Sequence, residues 1–196
     1  MLDIYFYGIT IFNVLFKVED MSNLIWVDLE MSGLNIDTNR ILEISVVITD
    51  QKLNILAKGP DLVIYQDQAH MQSMDEWCTS QHEKTGLTAD VLASNITEYD
   101  AEMAVIDFIS AWVKPGVSPM CGNSIGTDRE FIKKYMPDLF QWFHYRNFDV
   151  STLKMANSWW SGSEYEKSAI NQHRAMSDIL ESINEARYYM TNTYDS

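Results

Sequence analysis

The sequence predicts an α/β fold, with a mixed five-stranded central sheet flanked by helices. Three strand-like segments come first, helical and strand-like segments alternate after them, and no linker interrupts the run. The 196 residues hold only four prolines and eight glycines, so no composition break divides the chain. At 46% hydrophobic and 21% charged residues, the chain can bury one ordinary core. That excludes a disordered tail protein and a fibrous repeat.

Each element has its own signal. Leu24 to Leu29 is apolar except for Asp28 and reads as a buried strand that ends near Gly33. Ile41 to Thr49 is a second strand. Asn54 to Ile64 is a third, after the turn-like Asp50-Gln51-Lys52, so the three form a meander. Met74 to Lys84 reads as a short helix stopped by Gly86. Between Ala101 and Val113 the residues Ala101, Ala104, Val105, Phe108, Ile109 and Trp112 share one helical stripe, ended by Pro115-Gly116. Val117 to Cys121 is a short strand before Gly122. Thr127 then caps a helix that runs to Met136 and stops at Pro137. Phe148 to Val150 is the fifth strand, and Ser151 starts the next helix. Ala175 to Met190 is amphipathic, with Ile179, Ile183, Ala186 and Met190 facing inward.

Residues 1–20 stand apart. Ile4 to Phe16 is mostly apolar, but Asp3 replaces a basic leader and no small-residue cleavage site follows. No stretch reaches the roughly 20 apolar residues that span a bilayer. Residues 1–20 are therefore expected to be an N-terminal extension outside the fold, with a single domain over residues 21–196 that opens at Met21.

Charge narrows the function. Fourteen Lys plus Arg against 28 Asp plus Glu give a net charge of −14. A protein that grips long nucleic acid by neutralising phosphates is basic. This chain suits a short piece, or metal ions that reverse the local sign. Two cysteines, Cys78 and Cys121, are too few for a disulfide framework and fit a reducing cytoplasm. The 11 methionines read as core filler.

Three clusters carry candidate chemistry. In Asp28-Leu29-Glu30 the two acids fall on one face of a strand, about 7 Å apart at Cα. Burying them unpaired is costly, and a divalent cation resolves the repulsion. Alone, such a pair is more often a solvated strand end. Cys121 to Asp128 runs from a strand through a turn with two glycines into a helix. Alone, Thr127 and Asp128 are more often simple caps. In His173-Arg174-Ala175-Met176-Ser177-Asp178, a histidine precedes a helix whose first turn holds an acid. Alone, that spacing is not specific. Together, Asp28, Glu30, Asp128 and Asp178 supply four carboxylates from three segments with His173 nearby. Oxygen donors without Cys or clustered His disfavour zinc and suit Mg²⁺ or Mn²⁺. Such a site fits two-metal phosphoryl hydrolysis.

The order Asp-x-Glu, Asp, His-x-x-x-x-Asp resembles the DEDDh 3′-to-5′ exonucleases, and among them the oligoribonuclease family. The strings Leu24-Ile-Trp-Val-Asp-Leu-Glu-Met-Ser-Gly-Leu34, Leu53-Asn-Ile-Leu-Ala57 and Met74-Asp-Glu-Trp-Cys78 carry the likeness. So do Ser118-Pro-Met-Cys-Gly-Asn-Ser-Ile-Gly126, His144-Tyr-Arg146 and Asp149-Val-Ser-Thr-Leu153. It covers residues 23 to 190. The resemblance implies an RNase H-like exonuclease fold. It implies that Asp28, Glu30, Asp128 and Asp178 hold two Mg²⁺ or Mn²⁺ ions, with His173 as general base. The implied substrate is very short single-stranded RNA, especially 5′-phosphorylated dinucleotides, cut from the 3′ end to nucleoside 5′-monophosphates. Leu34 would wedge against a base, and Trp77 and His82 would line the nucleotide pocket. Ser124, Ser151 and Thr152 would meet the 5′ phosphate, with Tyr145 and Arg146 supplied by the other subunit of a homodimer. Hydroxyls and one forked guanidinium suit a terminal phosphate. Bland competitors stand beside these roles: Trp77 and Leu34 as core, Tyr145 and Arg146 as a structural pair.

One region departs from the family pattern. Between Trp160 and His173 the chain lacks the Lys-x-Gly-Ser/Thr lead-in and is a residue shorter, which puts His173 on a mobile loop. A broader 3′ exonuclease acting on DNA or longer RNA is the second reading, and it would need basic patches that the net charge argues against. A non-catalytic RNA-binding protein is the third, and the presence of all five acid and base positions argues against it. A chain starting at Met21 is expected to stay soluble and keep full turnover; an inactive or insoluble truncation would place residues 1–20 within the fold.

Overall fold

The computed structural model describes residues 23–160, 162, 164–167 and 173–194. The expected N-terminal extension and most of the lead-in to His173 lie outside them. The chain opens with β1 (Leu24–Met31), β2 (Ile41–Thr49) and β3 (Ile55–Val63). Helices α1 (Gln68–Met71), α2 (Glu76–Lys84), α3 (Leu87–Ala93) and α4 (Glu98–Ser110) follow. Then come β4 (Met120–Gly122), α5 (Gly126–Tyr135), α6 (Pro137–Trp142), β5 (Asn147–Asp149), α7 (Val150–Trp160) and α8 (Ala175–Tyr194).

The five-stranded sheet runs β3-β2-β1-β4-β5. β1, β2 and β3 pair antiparallel, and β4 and β5 are parallel to β1 and to each other, so the mixed sheet is as expected. All nine residues of β2 are buried, as a strand covered on both faces requires. β3 is an edge; its residues are exposed or half-buried, and it carries Lys58, Gly59, Pro60 and Asp61. Ile25, Val27 and Leu29 of β1 join Ile44 and Ile48 under Val105 and Ile109 of α4 and Phe131 of α5. Leu24 and Trp26, on the opposite face, pack with Ile179, Ile183, Ala186 and Tyr189 of α8. No helix among the described residues is long and apolar enough to cross a membrane.

Several boundaries differ from expectation for local reasons. α4 starts earlier because Thr97 and Asp100 form a reciprocal capping box, with Asp100 N–H donating to Thr97 Oγ1 at 3.1 Å. Trp112 then lies past the helix end and Ala104 is exposed, so the buried stripe narrows to Ala101, Val105 and Ile109. Gly86, at φ 78°, follows α2 and also begins α3, a helix the pattern did not show. Thr127 does not cap α5: Ile125 holds that position and no side chain bonds the helix start. Pro137 ends α5 but opens α6, where a missing N–H costs nothing. Glu102 reaches from α4 to accept Asp138 N–H at 2.7 Å and Leu139 N–H at 2.9 Å. Along α8, Tyr189 is buried and Met190 only half-buried.

Candidate active site

Alternation along β1 places Asp28 and Glu30 on the face of Trp26, the face that α8 covers. Asp178 stands in the first turn of α8. One carboxylate oxygen from each of Asp28, Glu30 and Asp178 lies within 4.8 Å of the other two. These acids line a cleft of about 310 Å³ together with Leu29, Asn123, Ser124, Lys167, His173, Glu181 and Ser182.

The cleft is unfavourable for bare anions. Burial, and then the charges of Asp128, Asp178 and Glu30, push the Asp28 carboxyl well above the usual carboxylate range. Glu30 is pushed up to about 8 by burial, with Asp178 and Glu43 adding to it. Burial also raises Asp178, against the lowering influence of His173 and Lys167. A hard, oxygen-only donor set this crowded fits a divalent cation such as Mg²⁺ or Mn²⁺.

Asp128 is buried in the first turn of α5, and its Oδ1 accepts the Leu29 N–H at 3.0 Å. Its pKa rises to about 7 through burial, opposed by that bond and its own backbone N–H. That bond ties it to the Leu29 peptide between Asp28 and Glu30, and it is not one of the three acids whose oxygens lie within 4.8 Å of one another. His173 lines the cleft in a left-handed conformation, φ 42°, one residue before Arg174.

The expected substrate residues divide into groups. Leu34 is 76% exposed in the turn between β1 and β2. Asn39 ties that turn, its Oδ1 accepting Asn35 N–H at 3.0 Å and its Nδ2 donating to Ser32 O at 3.2 Å. Trp77, in the first turn of α2, is 64% exposed. Neither is core. His82 is the exception: it is buried, and its Nε2 donates to the Met31 carbonyl at 2.9 Å, so it sits under the end of β1 and not on the cleft wall. Ser124 lines the cleft at φ 56°, and its N–H donates to Asp149 Oδ1 at 2.9 Å. The same oxygen accepts Ser151 N–H at 2.9 Å and Ser151 Oγ at 2.6 Å. Thr152 is exposed in the first turn of α7. Tyr145 and Arg146 lie between α6 and β5, away from this chain's cleft lining, with the guanidinium 5.1 Å from the Tyr145 ring centre.

Sequence reasoning missed Asp149, which joins Ser124 to Ser151, and Lys167, which adds positive charge to the cleft. It also missed Glu43. That residue was signalled by being the single charge in an otherwise apolar and hydroxyl-bearing strand, Ile41 to Thr49.

Comparison with known proteins shows the family. The exonuclease family model matches residues 25–186. The oligoribonuclease of Vibrio campbellii is 49% identical over 168 residues, covering 85% of this chain and 93% of that protein. The oligoribonuclease of Haemophilus influenzae is 48% identical over 171 residues, covering 87% and 94%. Among solved structures, E. coli exonuclease I in complex with a dT13 oligonucleotide has a TM-score of 0.66 at 15% identity. The match covers 87% of this chain but only 41% of that one, and it shows a shared fold.

The raised carboxyls set a sign for stability. The Glu30 carboxyl is pushed from its ordinary 4.5 up to about 8 on folding, so the folded state holds more protons across that interval. In chelator, stability should fall as pH rises from about 4.5 to 8. Glu30→Gln should flatten that slope, and Mn²⁺ should raise the melting temperature more at pH 8 than at pH 6, where protons compete. Melting curves with chelator and with Mn²⁺ check both; identical slopes in the two proteins would refute the crowding.

Proposed function

Because the chain belongs to the exonuclease family, and within it to the oligoribonucleases, we propose that it hydrolyses very short RNA from the 3′ end. The observation that carries this reading is the approach of Asp28, Glu30 and Asp178 within 4.8 Å beside His173. Together with Asp128, these carboxylates would hold two divalent cations, Mg²⁺ or Mn²⁺. When bound, the cations supply positive charge to the scissile phosphate and ease ionisation of water. His173, on the wall of the same cleft, removes a proton from the attacking water. Attack at the last phosphodiester breaks its P–O3′ bond, leaves a new 3′ hydroxyl and releases a nucleoside 5′-monophosphate.

The outward-facing Leu34 offers an apolar edge to a base, and Trp77 offers a ring for stacking. His82 supports the strand end beneath them. Ser124, Ser151 and Thr152 receive the 5′ phosphate, and Tyr145 and Arg146 of a second copy complete that cap in a homodimer. A capped site suits dinucleotides, and a net charge of −14 provides no track for longer strands. The activity is assigned to residues 21–196, and to the cytoplasm, where Cys78 and Cys121 remain free thiols. A broader 3′ exonuclease is the second reading, favoured by the fold shared with a protein solved on a dT13 oligonucleotide.

Hydrolysis of 5′-labelled RNA of two to seven nucleotides, with Mn²⁺, Mg²⁺ or chelator, separates the readings. Metal-dependent turnover strongest on the dinucleotide is expected; turnover that grows with length would favour the broader exonuclease. Arg146→Ala should slow 5′-phosphorylated dinucleotides more than longer RNA, and equal loss on both would make Arg146 structural.

A further inference from the structure

Glu43 is 1% exposed and lies directly across from Glu30 in the antiparallel register of β1 and β2. A carboxylate so placed needs partners, and both its oxygens have them. Oε1 accepts Arg174 Nε at 2.8 Å and pairs with Nη2 at 2.6 Å, while Oε2 accepts the Ala175 N–H at 3.0 Å. The third nitrogen of the fork, Nη1, donates to Asp90 Oδ2 of α3 at 2.9 Å. Arg174 is also held by its backbone, since its carbonyl accepts the Asp178 N–H at 3.1 Å.

These contacts end at the residue after His173. Asp178 lies inside α8, which Ile179 and Ile183 anchor in the core. His173 precedes the helix in a left-handed conformation that a non-glycine residue keeps only when its surroundings hold it there. Its place in the cleft therefore depends on what fixes Arg174. We propose that Glu43 and Arg174 form a positioning latch that holds the His173 imidazole against the carboxylate cluster without touching substrate. The latch rests on the reading of His173 as general base. Its outer end at Asp90 ties the same segment to α3, beside the helix that carries Trp77.

The test is Arg174→Ala in the full chain, assayed on a dinucleotide with Mn²⁺. The expected result is a fall in kcat on the order of 100-fold, the cost of misplacing one catalytic group by about 1 Å, with KM and calorimetric Mn²⁺ affinity at wild-type values. The His173 imidazole resonance should shift in the metal-free variant, and added guanidinium should restore both resonance and turnover. Arg174→Lys, which keeps the charge but not the fork, should recover activity in part. Unchanged kcat with an unmoved resonance would overturn the latch, as would Mn²⁺ affinity falling in step with kcat. A wild-type chain that hydrolyses no RNA would instead refute the proposed function, and the imidazole resonance would still decide the latch.

Discussion

Repulsion among the cleft carboxylates governs how the surrounding structure is built. Asp28 and Glu30 share a face of β1 with Trp26, so the alternation that packs Trp26 under α8 also delivers both acids to Asp178. The charges that act most strongly on Asp28 are those of Asp128, Asp178 and Glu30, all negative, and burial strengthens each of those repulsions. The apolar contacts of Ile179, Ile183 and Tyr189 hold α8 against the sheet in spite of them. Stability and site geometry therefore oppose one another at a single seam, and a cation placed there reconciles them.

Around that seam, acidic residues do the aligning. Asp128 fixes the β1 backbone between the two acids through Leu29. Glu43 plays the equivalent part for the start of α8. Asp149 gathers Ser124 and Ser151 onto one oxygen, bringing the turn after β4 to the start of α7. Each is an acid accepting backbone N–H groups, so the charge excess of this chain is partly spent on internal scaffolding as well as on a cation site.

Much of this was legible from the residues. Apolar runs, turn residues and helical stripes located all five strands and the long helices, and the pairing of Asp28 with Glu30 on one face followed from strand geometry. Ranges shifted where a local bond overruled the pattern, as with Thr97 and Asp100 at α4 and Pro137 at α6. α1 and α3 carry too few residues for periodicity to register. The roles of Thr127 and Asp128 were harder: both look like caps, and only the fold shows that Asp128 reaches from α5 to the backbone of β1. For His82, the bond to the Met31 carbonyl depends on how α2 packs behind Met31, a contact across 51 residues that spacing cannot reveal.

The β3 edge has a bearing on association. Its partner β2 meets it with register shifts at two places, and Pro60 offers no N–H to an incoming strand. Lys58 and Asp61 add charge to a border that is already irregular. Another copy finds no straight row of donors and acceptors there to extend the sheet. Edge-to-edge stacking into fibrils is disfavoured on that side of the sheet.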